Sequence, residues 1–214
     1  MPDQQDRSGR PHRPVPHADL TDLIDAARQS DDPGPEARAE VAAATAAVVL
    51  AAGRKPESAE RATVARLVAL ADTLGLDTLA ALWRDADPVS LPGALWALYL
   101  LRQWCRMHAD DVTRLWRAGS PYAQPDAVVA GVGEFADAGA MRRFGDDLLS
   151  GAYRGDFDVA LERASAFFRV IASGRRDQLR LDDPPAERDR ADHNDRAAAD
   201  LAEAATRWRK GTLQ

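Results

Sequence analysis

Cys105 and His108 lie three positions apart, the spacing at which a thiol and an imidazole share one face of a helix. A thiolate and an imidazole so placed can grip zinc, and an imidazole can also activate a thiol nucleophile. A structural zinc site needs four ligands. The other histidines, His12, His17 and His193, fall in or beside segments read below as flexible, so no second close pair completes the set. Asp110 and Asp111 could add oxygens, but no third group is placed to orient His108 as a base. The expectation is a small buried thiol beside a surface histidine, with no catalytic residue, metal or cofactor assigned.

Acidic pairs recur at Asp31-Asp32, Asp110-Asp111, Asp146-Asp147 and Asp182-Asp183. Neighbouring acids on a helix project to different sides, so they serve capping or solvation before acid–base work. Gly131-Val132-Gly133 and the Gly151 to Gly155 stretch lack the lysine and preceding strand of a phosphate loop. No serine elbow, metal-binding histidine pair or dinucleotide fingerprint is present.

Three clusters could serve binding. Trp83, Trp96, Trp104 and Trp116 fall within one short stretch. Such indoles either fill a core that is otherwise mostly Ala and Leu, or line a pocket, for which Trp96, Tyr99 and Trp104 are the expected walls. Arg163, Arg169, Arg175, Arg176 and Arg180 make a locally basic segment. Arg169, Arg175 and Arg176 are the residues expected to touch phosphate, if the segment is more than a solvated face with cations at a helix end. Arg207, Arg209 and Lys210 surround Trp208, and Leu201 and Trp208 are the expected anchors of a partner-binding terminal helix.

The elements that must carry these residues are helices. By count, 43 of the 214 residues are Ala, and Ile occurs only at Ile24 and Ile171. Ala and Leu favour helix, and the β-branched and aromatic residues that favour strands are scarce. The class is therefore all-α, a compact set of short helices. Apolar spacing and Pro/Gly punctuation predict helices from near Asp19, from Pro35 or Glu36 to Ala52, from Pro56, and from Asp77 to Arg84. Leu91 to Met107 follows, capped by Ser90, apolar around most of its circumference and expected at the centre of the fold. A short helix ends at Gly119. The next carries Val128, Val129, Val132 and Phe135, unless Gly131 and Gly133 shorten it. Two more follow, one marked by Met141, Phe144 and Leu148, the other running from Gly155-Asp156 to a stop at Gly174.

This organisation gives a disordered tail over 1–16, a helical domain over 17–176, a charged linker over 177–195, an amphipathic and detachable helix over 196–210, and a tail over 211–214. The terminal helix either docks back on the body or waits for a partner. The net charge of −6 opposes attraction to phosphate backbones and anionic membranes. The N-terminus has no signal-peptide core. The longest charge-free runs, Val41–Gly53 and Pro88–Leu101, are shorter than the roughly 18 residues of a membrane span. A single cysteine rules out an intrachain disulfide. A soluble cytoplasmic protein is expected.

Leu82-Trp83-Arg84, Pro88, Pro92, Ala94 and Ala97 recur 33 residues later as Leu115-Trp116-Arg117, Pro121, Pro125, Ala127 and Ala130. This is either one copy pair of a helical repeat or two similar helix–Pro–helix corners in a biased composition. The segments Leu91-Pro92-Gly93-Ala94-Leu95-Trp96, Val128-Val129-Ala130-Gly131-Val132 and Gly155 to Ala164 resemble an uncharacterised helical protein family of GC-rich actinobacteria. Its members sometimes carry the label of an RNA polymerase β-subunit. A true β-subunit is far longer and rich in strands, so the resemblance implies a helical fold and brings no catalytic residue. It covers about residues 60 to 176.

The function expected first is a non-catalytic module that binds another protein. A transcription- or nucleic-acid-associated regulator and a small-molecule binder or enzyme with a Trp-lined pocket stand as alternatives.

Overall fold

A computed structural model describes residues 34–54, 65, 68, 76–133, 137–179 and 185–214. Among them are eight helices and no strand: α1 (Pro35–Arg54), α2 (Leu76–Trp83), α3 (Leu91–Met107), α4 (Ala109–Gly119), α5 (Gln124–Ala130), α6 (Ala138–Arg154), α7 (Phe157–Gln178) and α8 (Pro185–Arg209). The helix expected near Asp19, the tail over 1–16 and most of the helix from Pro56 lie outside the described residues.

α3 starts where its local chemistry dictates. The Ser90 hydroxyl accepts from the Gly93 amide at 3.2 Å, and Pro92 sits in the first turn, where no amide partner is lost. As expected of the most apolar segment, α3 is central, packing against α1, α2, α4, α6, α7 and α8. Its circumference is not wholly covered: Leu100 is exposed and Trp96 half-buried. The second hub is α7, which touches α3, α4, α5, α6 and α8. Phe167 lies at its middle, fully buried, stacked on Trp116 at 5.4 Å and on Phe144 at 4.7 Å between ring centroids.

α4 and α7 cross with their backbones nearly touching. A Cβ on Gly119 would fall 1.9 Å from the Val170 carbonyl oxygen, and one on Gly174 would fall 2.0 Å from that of Leu115. This corrects the stop expected at Gly174. The glycine is there for the crossing, and α7 runs four residues beyond it to Gln178.

The charged linker expected over 177–195 is corrected as well. Residues 177 and 178 close α7, and α8 is helical from Pro185. Its first turns lack an apolar period because they are held by polar contacts to α7. The Arg176 guanidinium pairs with Asp192, at 3.1 Å, and with Asp195, and the Arg175 Nε donates to Asn194 at 2.8 Å. Further along, Ala191, Ala198, Leu201, Ala204 and Ala205 are buried, and the Ser165 hydroxyl donates to the Ala198 carbonyl at 2.6 Å. Of the two arrangements open for the terminal helix, the structure has the docked one. Gly211, at φ 68, turns the chain so that Leu213 is buried and the Leu91 amide donates to the Gln214 carbonyl at 2.8 Å. Within 211–214, Leu213 is thus buried and Gln214 tied to Leu91, while the other side chains stay exposed.

α5 ends at Ala130, where Gly131 takes the left-handed conformation at φ 72. The Arg163 Nε donates to the Ala130 carbonyl at 3.0 Å, so a side chain on α7 satisfies part of the helix end. The longer helix expected through Val132 is thereby cut short at Ala130, and Phe135 lies outside the described residues. The two echoed corners share their punctuation: Trp83 and Trp116 are fully buried, and Pro92 and Pro125 each occupy a first helical turn.

Candidate functional site

Cys105 lies on the buried side of α3, whereas His108 is exposed at the junction of α3 and α4. Burial strips solvent from the thiolate, and the nearby Asp146 charge adds to the penalty, so the thiol pKa is pushed up to about 12. Such a thiol is neither a nucleophile nor a ready metal ligand. Among the described residues no group of three His, Cys, Asp or Glu side chains is placed to hold a metal ion. Cys105 is expected to resist a water-soluble aromatic disulfide in the native protein and to react fully in denaturant. Rapid native labelling at neutral pH would show that α3 opens locally.

Most polar groups inside the bundle are matched to one another; the buried Trp116 indole N–H has no hydrogen-bond partner among the described residues. The Arg102 side chain is 3 % exposed, and its Nε meets Asp146 at 2.6 Å. The Tyr99 and Tyr153 hydroxyls are 2.5 Å apart, and burial, reinforced by the Tyr99 neighbour, raises the Tyr153 pKa well above its usual value. The Trp83 indole donates to the Thr45 hydroxyl at 3.0 Å, and that hydroxyl in turn reaches the Ala42 carbonyl at 2.9 Å. These pairs lock helix to helix.

The pocket expected between Trp96, Tyr99 and Trp104 does not form. Tyr99 turns inward to Tyr153, Trp104 lies under the Arg175 guanidinium at 5.7 Å, and Trp96 faces a trough toward α8. The arginines expected to touch phosphate each have a partner within the fold. Arg169 pairs with Asp126 at 3.1 Å, Arg176 is bound to Asp192 and Asp195, and Arg175 is shared between Asn194 and Trp104. The Asp195 and Asp192 carboxylates raise the Arg176 pKa, as expected of a committed ion pair. Leu201 is buried, and Trp208, half-buried, meets Phe157 edge-on at 4.9 Å, so both expected partner anchors also serve the fold.

What the packing leaves outside is concentrated on α5 and the turn before it. Val128 is 80 % exposed, Tyr122 72 % and Val129 52 %. Of the three, Val128 lines a groove of about 670 Å³, with Ser120, Pro121, Gln124, Gly131 and Val132 on its walls and Trp116 at its base. The charges near this face are engaged with other groups, although the Arg169 side chain stays 45 % exposed. Asp126 is tied to Arg169, and Arg163 lies over the Phe144 ring at 5.5 Å while donating to Ala130. The Tyr122 hydroxyl is held by Asp177, which raises its pKa and leaves the ring as the exposed part. The face has no machinery for covalent chemistry. Its chemistry is apolar contact.

Sequence periodicity missed this surface because Val128 and Val129 read as the inner stripe of a longer helix. The available signal was punctuation. Pro121, Pro125, Gly131 and Gly133 limit the element to seven residues, about two turns, which gives it little surface to bury.

No family model matches this chain. No curated protein and no solved structure is significantly similar to it.

Proposed function

We propose that this protein is a non-catalytic module that binds another protein through the α5 face. The observation that carries the reading is the cluster of Tyr122, Val128 and Val129. Three large apolar side chains stand in solvent within eight residues, whereas the aromatic and aliphatic residues of α4, α6 and α7 are mostly covered. Large apolar groups exposed close together in the chain, with the uncharged Ser120 and Gln124 beside Val128, fit the composition of an interface. Arg169, a cation near this face, is paired with Asp126, which favours a protein surface over nucleic acid, whose binding depends on cations directed at phosphates.

The reading is tested by placing a photo-crosslinking amino acid at position 128 in the native cell, with the exposed Arg142 position on α6 as control. A discrete protein adduct from position 128 is expected. It should vanish when Val129→Asp is added, while the helical circular-dichroism signal is kept. Adducts no stronger than those from position 142, or insensitive to Val129→Asp, would overturn it. No helix among the described residues is long and apolar enough to cross a membrane, so a bilayer-spanning role for them is not part of this reading.

A further inference from the structure

We infer that the trough between α3 and α8 binds a small aromatic carboxylate. The trough encloses about 450 Å³, within the roughly 300–1,000 Å³ of small-ligand sites. It exists because the facing helices present alanines there: Ala97 from α3 and Ala197 from α8 leave space that longer side chains would fill. Trp96, Leu100 and Phe168 supply the apolar wall. Trp96 is half-buried and Leu100 is 41 % exposed, so this wall is open to an incoming ring.

The opposite rim is cationic. Arg84 and Arg196 supply the charge, with the His193 imidazole also in the lining and Asp200 one helical turn beyond Arg196. Arg196 differs from Arg169 and Arg176 in its pairing. Its Nε makes a 3.3 Å contact to the Asp192 carbonyl, and no carboxylate among the described residues lies within 4.0 Å of its guanidinium. Arg84 has only a loose 3.5 Å contact with its exposed neighbour Asp85. The terminal nitrogens of Arg196 thus retain the planar donor pair that suits a carboxylate. Asp200 accepts a hydrogen bond and repels a second anion. The ligand that satisfies all three features has a planar ring against Trp96 and Phe168, a single carboxylate at Arg196, and a hydroxyl or ring N–H directed at Asp200. Neither the α5 face nor protein binding is needed for this site.

The test uses the whole protein and indole N–H resonances assigned by substituting each tryptophan. The probes are 4-hydroxyphenylacetate and indole-3-acetate, with 4-hydroxyphenylacetamide as the uncharged control. Saturable movement of the Trp96 resonance is expected with both carboxylates, little with the amide, and weaker binding at higher salt. Arg196→Gln should weaken binding about 10-fold or more, the range of a charge-assisted hydrogen bond. Ala197→Leu, which fills the trough from an exposed helix face, should abolish it while leaving the helical signal intact. The inference is overturned by non-saturating shifts for both carboxylates at millimolar concentration. It is equally overturned by equal binding of the amide, or by Arg196→Gln binding as the parent does.

Discussion

Gly174→Ala is expected to destabilise the protein by about 3 kcal/mol, the upper end of the usual cost of overpacking. The added methyl would stand 2.0 Å from the Leu115 carbonyl oxygen, an atom of the α4 backbone that cannot rotate aside. Relief requires α4 and α7 to separate along their crossing, which opens the stack of Trp116 on Phe167. For a chain of this size the loss corresponds to a fall in Tm of about 6–12 °C. Urea unfolding followed by circular dichroism measures it. Gly151→Ala is the paired control. It lies inside α6 with nothing within 4 Å of the new Cβ, so the change should stabilise by about 0.5–1 kcal/mol through helix propensity. Equal stabilities for the two variants would show that the α4–α7 crossing is not as close as described.

Phe167→Ala is expected to cost about 3–5 kcal/mol, the range for deleting a fully buried aromatic ring. Phe167 stacks on both Trp116 and Phe144 and meets Phe168 edge-on at 6.1 Å, so its removal leaves a cavity bordered by three rings. Because Trp116 packs on that ring, the near-ultraviolet circular-dichroism bands should weaken more than the far-ultraviolet helical signal. Phe168→Ala provides the contrast, since that ring is half-buried beside the α3–α8 trough. Phe167→Leu should recover part of the lost stability by restoring volume without the ring. A Phe167→Ala variant as stable as Phe168→Ala would move the centre of the core away from α7.

These variants bear on how much could be read from the chain alone. Ser90 before Pro92 announces the start of α3, and the Leu95, Leu98 and Leu101 spacing identifies its buried face. Such signals are local, set by capping geometry and by the pitch of the helix, and therefore visible in sequence. Gly174 carries two opposite meanings that sequence cannot separate. A glycine both ends helices and permits them to touch, and only the nearby Leu115 backbone selects the second. The Asp- and Arg-rich residues before Arg196 look solvated for a similar reason. Their helix is seated by ion pairs and hydrogen bonds to Arg175 and Arg176, which apolar periodicity does not record.

The expected binding residues divide along the same line. Leu201, Trp208 and Tyr99 have the right chemistry for recognition, but the fold uses each of them internally. Arg169 and Arg176 suit phosphate, yet carboxylates from α5 and α8 reach them first. Trp96, of the expected pocket residues, lines the trough, and its arginine neighbours come from both sides of it in the chain: Arg84 shortly before α3 and Arg196 on α8, a hundred residues later.

By itself the sequence determined the all-helical class, the positions where most helices begin and break, and the inward placement of most large apolar side chains. Each depends on interactions within a few residues of chain. The tertiary structure alone decided which arginines are neutralised, which glycine is a crossing and which valines stand in solvent, because a side chain's free valences and exposure depend on segments that are distant in sequence and adjacent only after folding.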